Sequence, residues 1–109
     1  MEKFVKGDIV VIPFPFSDLS GSKKRPALVL ANLQGDDIIL CQITSQQIKD
    51  NYAIAIESND FKTNKLTVAS NIRPNRIFTA DKGIIIKKVA SLNEISVNNV
   101  IQKIITILS

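Results

Sequence analysis

A chain of 109 residues is the size of one ordinary domain, and at 45% hydrophobic it can bury a core without disulfides or metal. Its 14 Lys and Arg against 10 Asp and Glu give a formal charge of +4, which favours an anionic partner without naming one. It has no histidine and one cysteine, so imidazole catalysis, the commonest zinc ligand and an intrachain disulfide are all excluded.

No run approaches the roughly 18 apolar residues of a membrane span. The N-terminal MEKFVKGDIVV lacks the apolar core of a secretion signal. With a lone thiol, these features lead us to expect a cytoplasmic protein with no membrane segment. Cys41, inside the apolar run DDIILCQIT, reads as a small buried hydrophobe.

Taken in chain order, Gly7-Asp8 marks a turn, and the β-branched run from Val5 to Pro13 predicts a buried strand. Pro13 and Pro15 are expected to interrupt its ladder, because proline has no N–H to donate. SDLSGSKK is a loop by composition. Pro26 to Ala31 and Ile38 to Thr44 are the second and third strands, paired as a hairpin across the turn Gln34–Asp37. Tyr52 to Ile56 is a short strand, and ESNDFKTNK a polar loop. Leu66 to Ile72, Ile77 to Ala80 and Ile84 to Val89 read as further strands. Arg73, before Pro74, is held to extended geometry.

The C-terminal segment changes period. Val97, Val100, Ile101, Ile104, Ile105 and Leu108 form the apolar stripe of an amphipathic helix, with Ser91 and Glu94 spaced as a capping box. Isoleucine is an indifferent helix former, so this helix must be held by packing. Short strands followed by one helix predict a single domain, 1–109, mainly β with a C-terminal α-helix, built as a small barrel or sheet.

Candidate chemistry is cationic and hydroxylic. There is no phosphate-binding glycine loop and no nucleophile elbow. Aromatics are few, leaving Phe14, Phe16, Tyr52 and Phe61 as possible stacking faces. Lys23, Lys24 and Arg25 precede the second strand, Thr44 and Ser45 end the third, and Arg73 and Arg76 bracket Pro74-Asn75. All stand at strand ends, where loops of small β folds meet. Guanidinium groups match phosphate oxygens, and hydroxyls add uncharged contacts. Plainer readings cover the same residues: a solvated basic loop, a Thr-Ser turn, and arginines paired with Asp81 or Glu57. The residues alone reach a small basic β domain with a possible phosphate site.

The stretch KGDIVVIPFPFSDLSGSKKRPALVL resembles the N-terminal signature of the MazF/PemK toxin family. The likeness continues through ILCQITS and VASNIRPNRIFTAD into the terminal helix. It implies an SH3-like β-barrel of the MazF/CcdB-like kind that forms a homodimer. It also implies a sequence-specific, metal-independent endoribonuclease of a type II toxin–antitoxin system, with no cofactor. Its expected partners are single-stranded RNA and a cognate antitoxin with a disordered tail. The family's catalytic arginine falls on Arg25, its strand-end threonine on Thr44, and a second arginine used in part of the family on Arg73. RNA contacts are then expected from Ser17, Ser20, Ser22, Lys23, Lys24, Ser45, Asn75 and Arg76. Base choice is expected from the loops around Ser17–Lys24 and Lys49–Asn51. Some members carry an aspartate two residues after the second arginine; here that position is Asn75. A CcdB-like gyrase poison and a non-catalytic SH3-like RNA-binding module remain as alternatives.

Overall fold

A computed structural model of the chain describes residues 3–14 and 23–109, with the backbone alone at Phe14 and Lys23. Among the described residues seven strands form one antiparallel sheet: β1 (Asp8–Phe14), β2 (Lys23–Asn32), β3 (Asp37–Thr44), β4 (Ile54–Ala55), β5 (Phe61–Thr63), β6 (Asn71–Asp81) and β7 (Lys87–Leu92). Their order across the sheet is β4-β6-β3-β2-β1-β7-β5, and one helix, α1 (Glu94–Leu108), follows. The sheet curls into a half-barrel, and the molecule measures 32 × 31 × 30 Å. The expected mainly β fold with a C-terminal helix is the one observed.

The central strands are apolar on both faces because both faces are covered. On one face Ile9, Leu28, Leu30, Cys41, Ile43 and Ile72 pack with Val97 and Val100 of α1. On the other, Val10, Ile12, Ala27, Val29, Ile38 and Leu40 pack with Phe4, Phe78 and Ile85. This explains why β1 to β3 read as continuous apolar runs instead of alternating ones. Each fully buried Ile or Leu contributes about 1.5–3 kcal/mol by leaving water.

Gly7 lets the N-terminal segment enter this arrangement. Its φ is +99°, and a Cβ there would stand 3.1 Å from Val97 Cγ2. Its N–H donates to Val29 O, and its carbonyl accepts from Leu92 N–H. Asp8 beside it is buried, accepts from Val5 N–H at 2.9 Å and lies 3.9 Å from Lys88 Nζ.

Several boundaries differ from the sequence expectations. Pro13 does not end β1 but pairs with Lys24, because the pairing of β1 with β7 stops at Val11 and leaves that edge open. Pro15 lies outside the described residues. Leu66 to Ala69 form no strand; β6 begins at Asn71 and runs through Pro74 to Asp81. A bulge makes this possible. Cys41 pairs with Ile77 and Ile43 with Ile72, so the four residues Arg73–Arg76 face only Gln42. Pro74 is buried there, where the ladder demands no N–H. Cys41 Sγ–H donates to the Arg73 carbonyl at 3.0 Å and ties the bulge to β3.

Tyr52–Ile56 shrinks to the two-residue β4, and the supposed loop 57–65 holds a 3-10 turn, Ser58–Asp60, and β5. Ile84 belongs to a second 3-10 turn, Lys82–Ile84, capped by Asp81, which accepts from Gly83 N–H at 2.7 Å. The helix is capped by Asn93, whose Oδ1 accepts from Ser96 N–H at 2.8 Å. Ser91 cannot cap it, because Ser91 still pairs with Asp8 inside β7. Ser96 Oγ–H in turn donates to Asp60 Oδ1 at 2.8 Å, fastening the first turn of α1 to the 3-10 turn before β5. Of the helix stripe, Val97 and Val100 are buried and Ile101 and Ile104 half-buried, whereas Ile105 and Leu108 stay exposed.

Gly7→Ala should cost about 1–3 kcal/mol in urea unfolding, since it forces an L side chain into a positive-φ position against Val97. Burial pushes the Cys41 thiol from 9.0 up to about 12, so its contribution to stability is complete below pH 9 and lost as the pH climbs towards 12. A disulfide-exchange reagent at mildly alkaline pH should therefore leave native Cys41 untouched and titrate one thiol after denaturation.

Candidate functional site

The site grows from the register of β2 against β3. Ala27 pairs with Gln42 in an antiparallel ladder. Arg25 precedes Ala27 by two residues and Thr44 follows Gln42 by two, so both stand at the same end of the strand pair. Thr44 itself pairs with Asn71 of β6, which brings the start of that strand to the same end.

A cleft of about 720 Å³ opens at this end. Val11, Pro26, Ile43 and Val89 give it apolar lining, and Ser45, Gln46, Thr67 and Ser70 give it neutral polar groups. Lys24, Arg25, Lys65 and Lys87 contribute four cations, and among the described residues no Asp or Glu lines it. Uncompensated positive charge along low-dielectric walls concentrates the potential in a cleft and draws anions into it.

Arg25 is held where Pro26 fixes the backbone, and it is half-buried. Its Nε–H is buried and has no partner among the described residues; the same is true of the Arg73 Nε–H. Buried side-chain donors without partners are rare in folded proteins and cost about 1–3 kcal/mol each. Both of these belong to arginines singled out from the sequence.

Thr44 is buried, and its Oγ1 accepts from Gln46 N–H at 3.1 Å. The turn role foreseen as the plainer reading is therefore real, and it uses only a lone pair, leaving the O–H to donate elsewhere. Arg73 lies on the bulge of β6 and does not line the cleft. Its ion-pair partner is neither Asp81 nor Glu57 but Asp50, with Nη2 at 3.5 Å from Oδ2. Asp81 is engaged far along the same strand, paired with Asp37 and capping the next turn.

Asp50 is well ordered by its own loop. Its Oδ1 accepts from Tyr52 N–H at 2.9 Å and Ala53 N–H at 3.0 Å. Desolvation pulls its carboxyl upward, but those two N–H groups and the Arg73 guanidinium outweigh it and hold the carboxyl below its ordinary value. The group is thus a carboxylate at neutral pH.

The structure gathers Lys24, Arg25 and Ser45 into one cleft; Thr44 and Arg73 are not among its lining residues, and Arg73 pairs with Asp50. Asn75 and Arg76 are exposed on the bulge and take no part in the cleft lining. Ser17, Ser20 and Ser22 lie outside the described residues, as does the side chain of Lys23. Lys65, Lys87 and Gln46 were not found by sequence reasoning. The two lysines belong to separate elements, and only the fold brings them beside Arg25. Asp50 did leave a local trace, because an Asp whose side chain caps the N–H two residues on is a common turn device. Among the described residues no three His, Cys, Asp or Glu side chains converge as a metal site, and no helix is long and apolar enough to cross a membrane.

Comparison with known proteins is consistent with this architecture. No curated protein matches the sequence significantly. Among solved structures, MazF of Deinococcus radiodurans superposes with a TM-score of 0.77 at 17% identity, over 99% of this chain and 98% of that one. The MazE–MazF complex from the same organism gives a TM-score of 0.76 at 17% identity, over 100% and 98%. An endoribonuclease in complex with its cognate antitoxin, from a mycobacterial species, gives 0.76 at 13% identity, over 97% and 95%. The family model of PemK-like, MazF-like toxins of type II toxin–antitoxin systems matches residues 5–108. That match spans nearly the whole chain, and the protein belongs to this toxin family.

Proposed function

We propose that this chain is an endoribonuclease toxin that cleaves single-stranded RNA at a preferred sequence without a metal cofactor. The observation that carries the reading is the buried Arg25 Nε–H, without a partner among the described residues, in a cleft lined by four cations. A phosphodiester supplies the oxygen acceptors such donors lack, and guanidinium geometry suits it. The cleft, lined among the described residues by Lys24, Arg25, Lys65 and Lys87 and by no carboxylate, supports an extended polyanion as the ligand.

The chemistry follows from the substrate. The RNA 2′-oxygen bonds to the adjacent phosphorus and releases its proton, and the P–O5′ bond breaks. The 5′-oxygen leaves with a proton, giving a 2′,3′-cyclic phosphate and a 5′-OH. The nucleophile belongs to the RNA itself, so no metal-bound hydroxide is called for. Negative charge builds on the phosphorus oxygens, and Arg25 is the donor assigned to it, with Arg73 as the second cation and Thr44 orienting the phosphate. Asn75 takes up no proton at neutral pH, so it serves as an RNA contact with Arg76 and not as the base. Lys23, Lys24 and Ser45 hold neighbouring phosphates, with Ser17, Ser20 and Ser22, which precede β2 in the chain, contributing to base choice.

The same reading assigns an acidic, disordered antitoxin tail to this cleft, a homodimer as the working form, and the cytoplasm as its place. The solved complexes of structurally similar toxins with their antitoxins support that partnership.

Primer extension on a long RNA incubated with the protein in EDTA should reveal cuts at a recurring short sequence. Arg25→Ala should lower the rate roughly 10²–10³-fold, the usual loss of one transition-state donor. RNA bound but never cut would make the protein a binding module, and Arg25→Ala cutting at the wild-type rate would remove Arg25 from the mechanism. Replacing Lys65 and Lys87 together by Ala should weaken RNA binding and flatten its logarithmic salt dependence by about 0.7 per lysine.

A further inference from the structure

We propose that Asp50 is a positioning residue: its carboxylate holds the Arg73 guanidinium in one orientation on the bulge of β6. This rests on the reading that Arg73 serves RNA. Asp50 divides its two oxygens between two tasks. Oδ1 is occupied by the N–H groups of Tyr52 and Ala53, at 2.9 and 3.0 Å, which fixes the carboxylate on its loop. Oδ2 is then left for Arg73 Nη2, at 3.5 Å. That distance is long for a hydrogen bond, so the carboxylate acts chiefly through its charge and direction.

Arg73 is gripped at its other end as well. Its carbonyl accepts the Cys41 S–H at 3.0 Å, and the next residue, Pro74, is buried in the bulge. A side chain anchored at backbone and tip keeps little freedom between them. Its Nε–H sits in that span, buried and without a partner among the described residues. The side chains of both partners are largely enclosed, 17% exposed for Arg73 and 28% for Asp50, which strengthens the pairing over that of a fully solvated ion pair. The carboxylate comes from the β3–β4 connection and the guanidinium from β6, so the ordering of that loop and the aim of Arg73 are one event.

The test compares wild type, Asp50→Asn, Arg73→Ala and the double variant. Asparagine keeps an oxygen for Tyr52 and Ala53 N–H while removing the charge that holds Arg73, so the loop and the thermal midpoint should be preserved. Asp50→Asn should lower kcat/KM on a defined RNA oligonucleotide roughly 10–100-fold, the scale of a small misplacement in an active site. The double variant should be no slower than Arg73→Ala alone. In ¹H–¹⁵N spectra, the Arg73 Nε–H of the wild type should give a slowly exchanging peak that broadens in Asp50→Asn. Losses that multiply in full, or an Arg73 peak unchanged by Asp50→Asn, would overturn the proposal. So would loss of the acidic limb of the pH–rate profile with the peak intact, since that would make Asp50 a base. A wild type that cuts no RNA would sink the functional reading alone, with the spectra still deciding the role of Asp50.

Discussion

Much of the site depends on one irregularity in a regular sheet: four residues of β6, Arg73 to Arg76, standing opposite the single Gln42 of β3. A ladder this mismatched must shed backbone hydrogen bonds, and the losses are offset locally. Pro74 needs no donor partner, and the Cys41 thiol donates to the Arg73 carbonyl. The thiol carries the proton it donates, and burial extends that protonated state well into the alkaline range. A residue that first reads as inert core thus bridges two strands at the point where the sheet departs from regularity. The bulge in turn aims Arg73 towards the loop that carries Asp50.

Around this, the cleft combines two properties that oppose each other in a protein interior. Its walls come from the same β-branched residues that build the core, Val11, Ile43 and Val89, and its charge comes from residues at strand ends and loops. Among the described residues four cations share the cleft with no carboxylate, so each repels the others in the free protein. The fold tolerates this because Lys24, Lys65 and Lys87 keep exposed side chains that solvent screens. Arg25 is the exception, half-buried and short of a partner at Nε. The folded state therefore stores unmet demand for oxygen acceptors where a polyanion would satisfy it.

The elements of this fold were legible where local pattern and tertiary environment agree. The hairpin of β2 and β3 follows from two apolar runs around Gln34-Gly35-Asp36, and Gly35 indeed takes a φ of +75°. Disagreement arose where neighbours changed what a residue needs. Pro13 stays in a strand because one edge of β1 is open beyond Val11. Pro74 stays in a strand because of the bulge. Ser91 has the spacing of a cap but belongs to a ladder, so Asn93 takes the role. Proline penalties and capping preferences describe a residue with average surroundings, and these three do not have them. The site divides in the same way. Arg25 and Thr44 stand out beside strand ends, whereas Lys65 and Lys87 carry no pattern that marks them and Asp50 leaves only the trace of a turn.

Taken alone, the sequence determined the class of the molecule: a basic, histidine-free, mainly β domain with one terminal helix, because composition and apolar period are properties of the chain itself. Its motifs also pointed to the toxin family, through Gly7-Asp8, Lys24-Arg25-Pro26 and the Ile43-Thr44 strand end taken as a set. Tertiary structure decided which charges meet. Strand register sets Arg25 and Thr44 at the same end of the sheet, the bulge hands Arg73 to Asp50, and the fold brings Lys65 and Lys87 to the cleft that Arg25 lines. Electrostatic pairing depends on distance in space, and distance in space is what an antiparallel register, and not a sequence separation, determines.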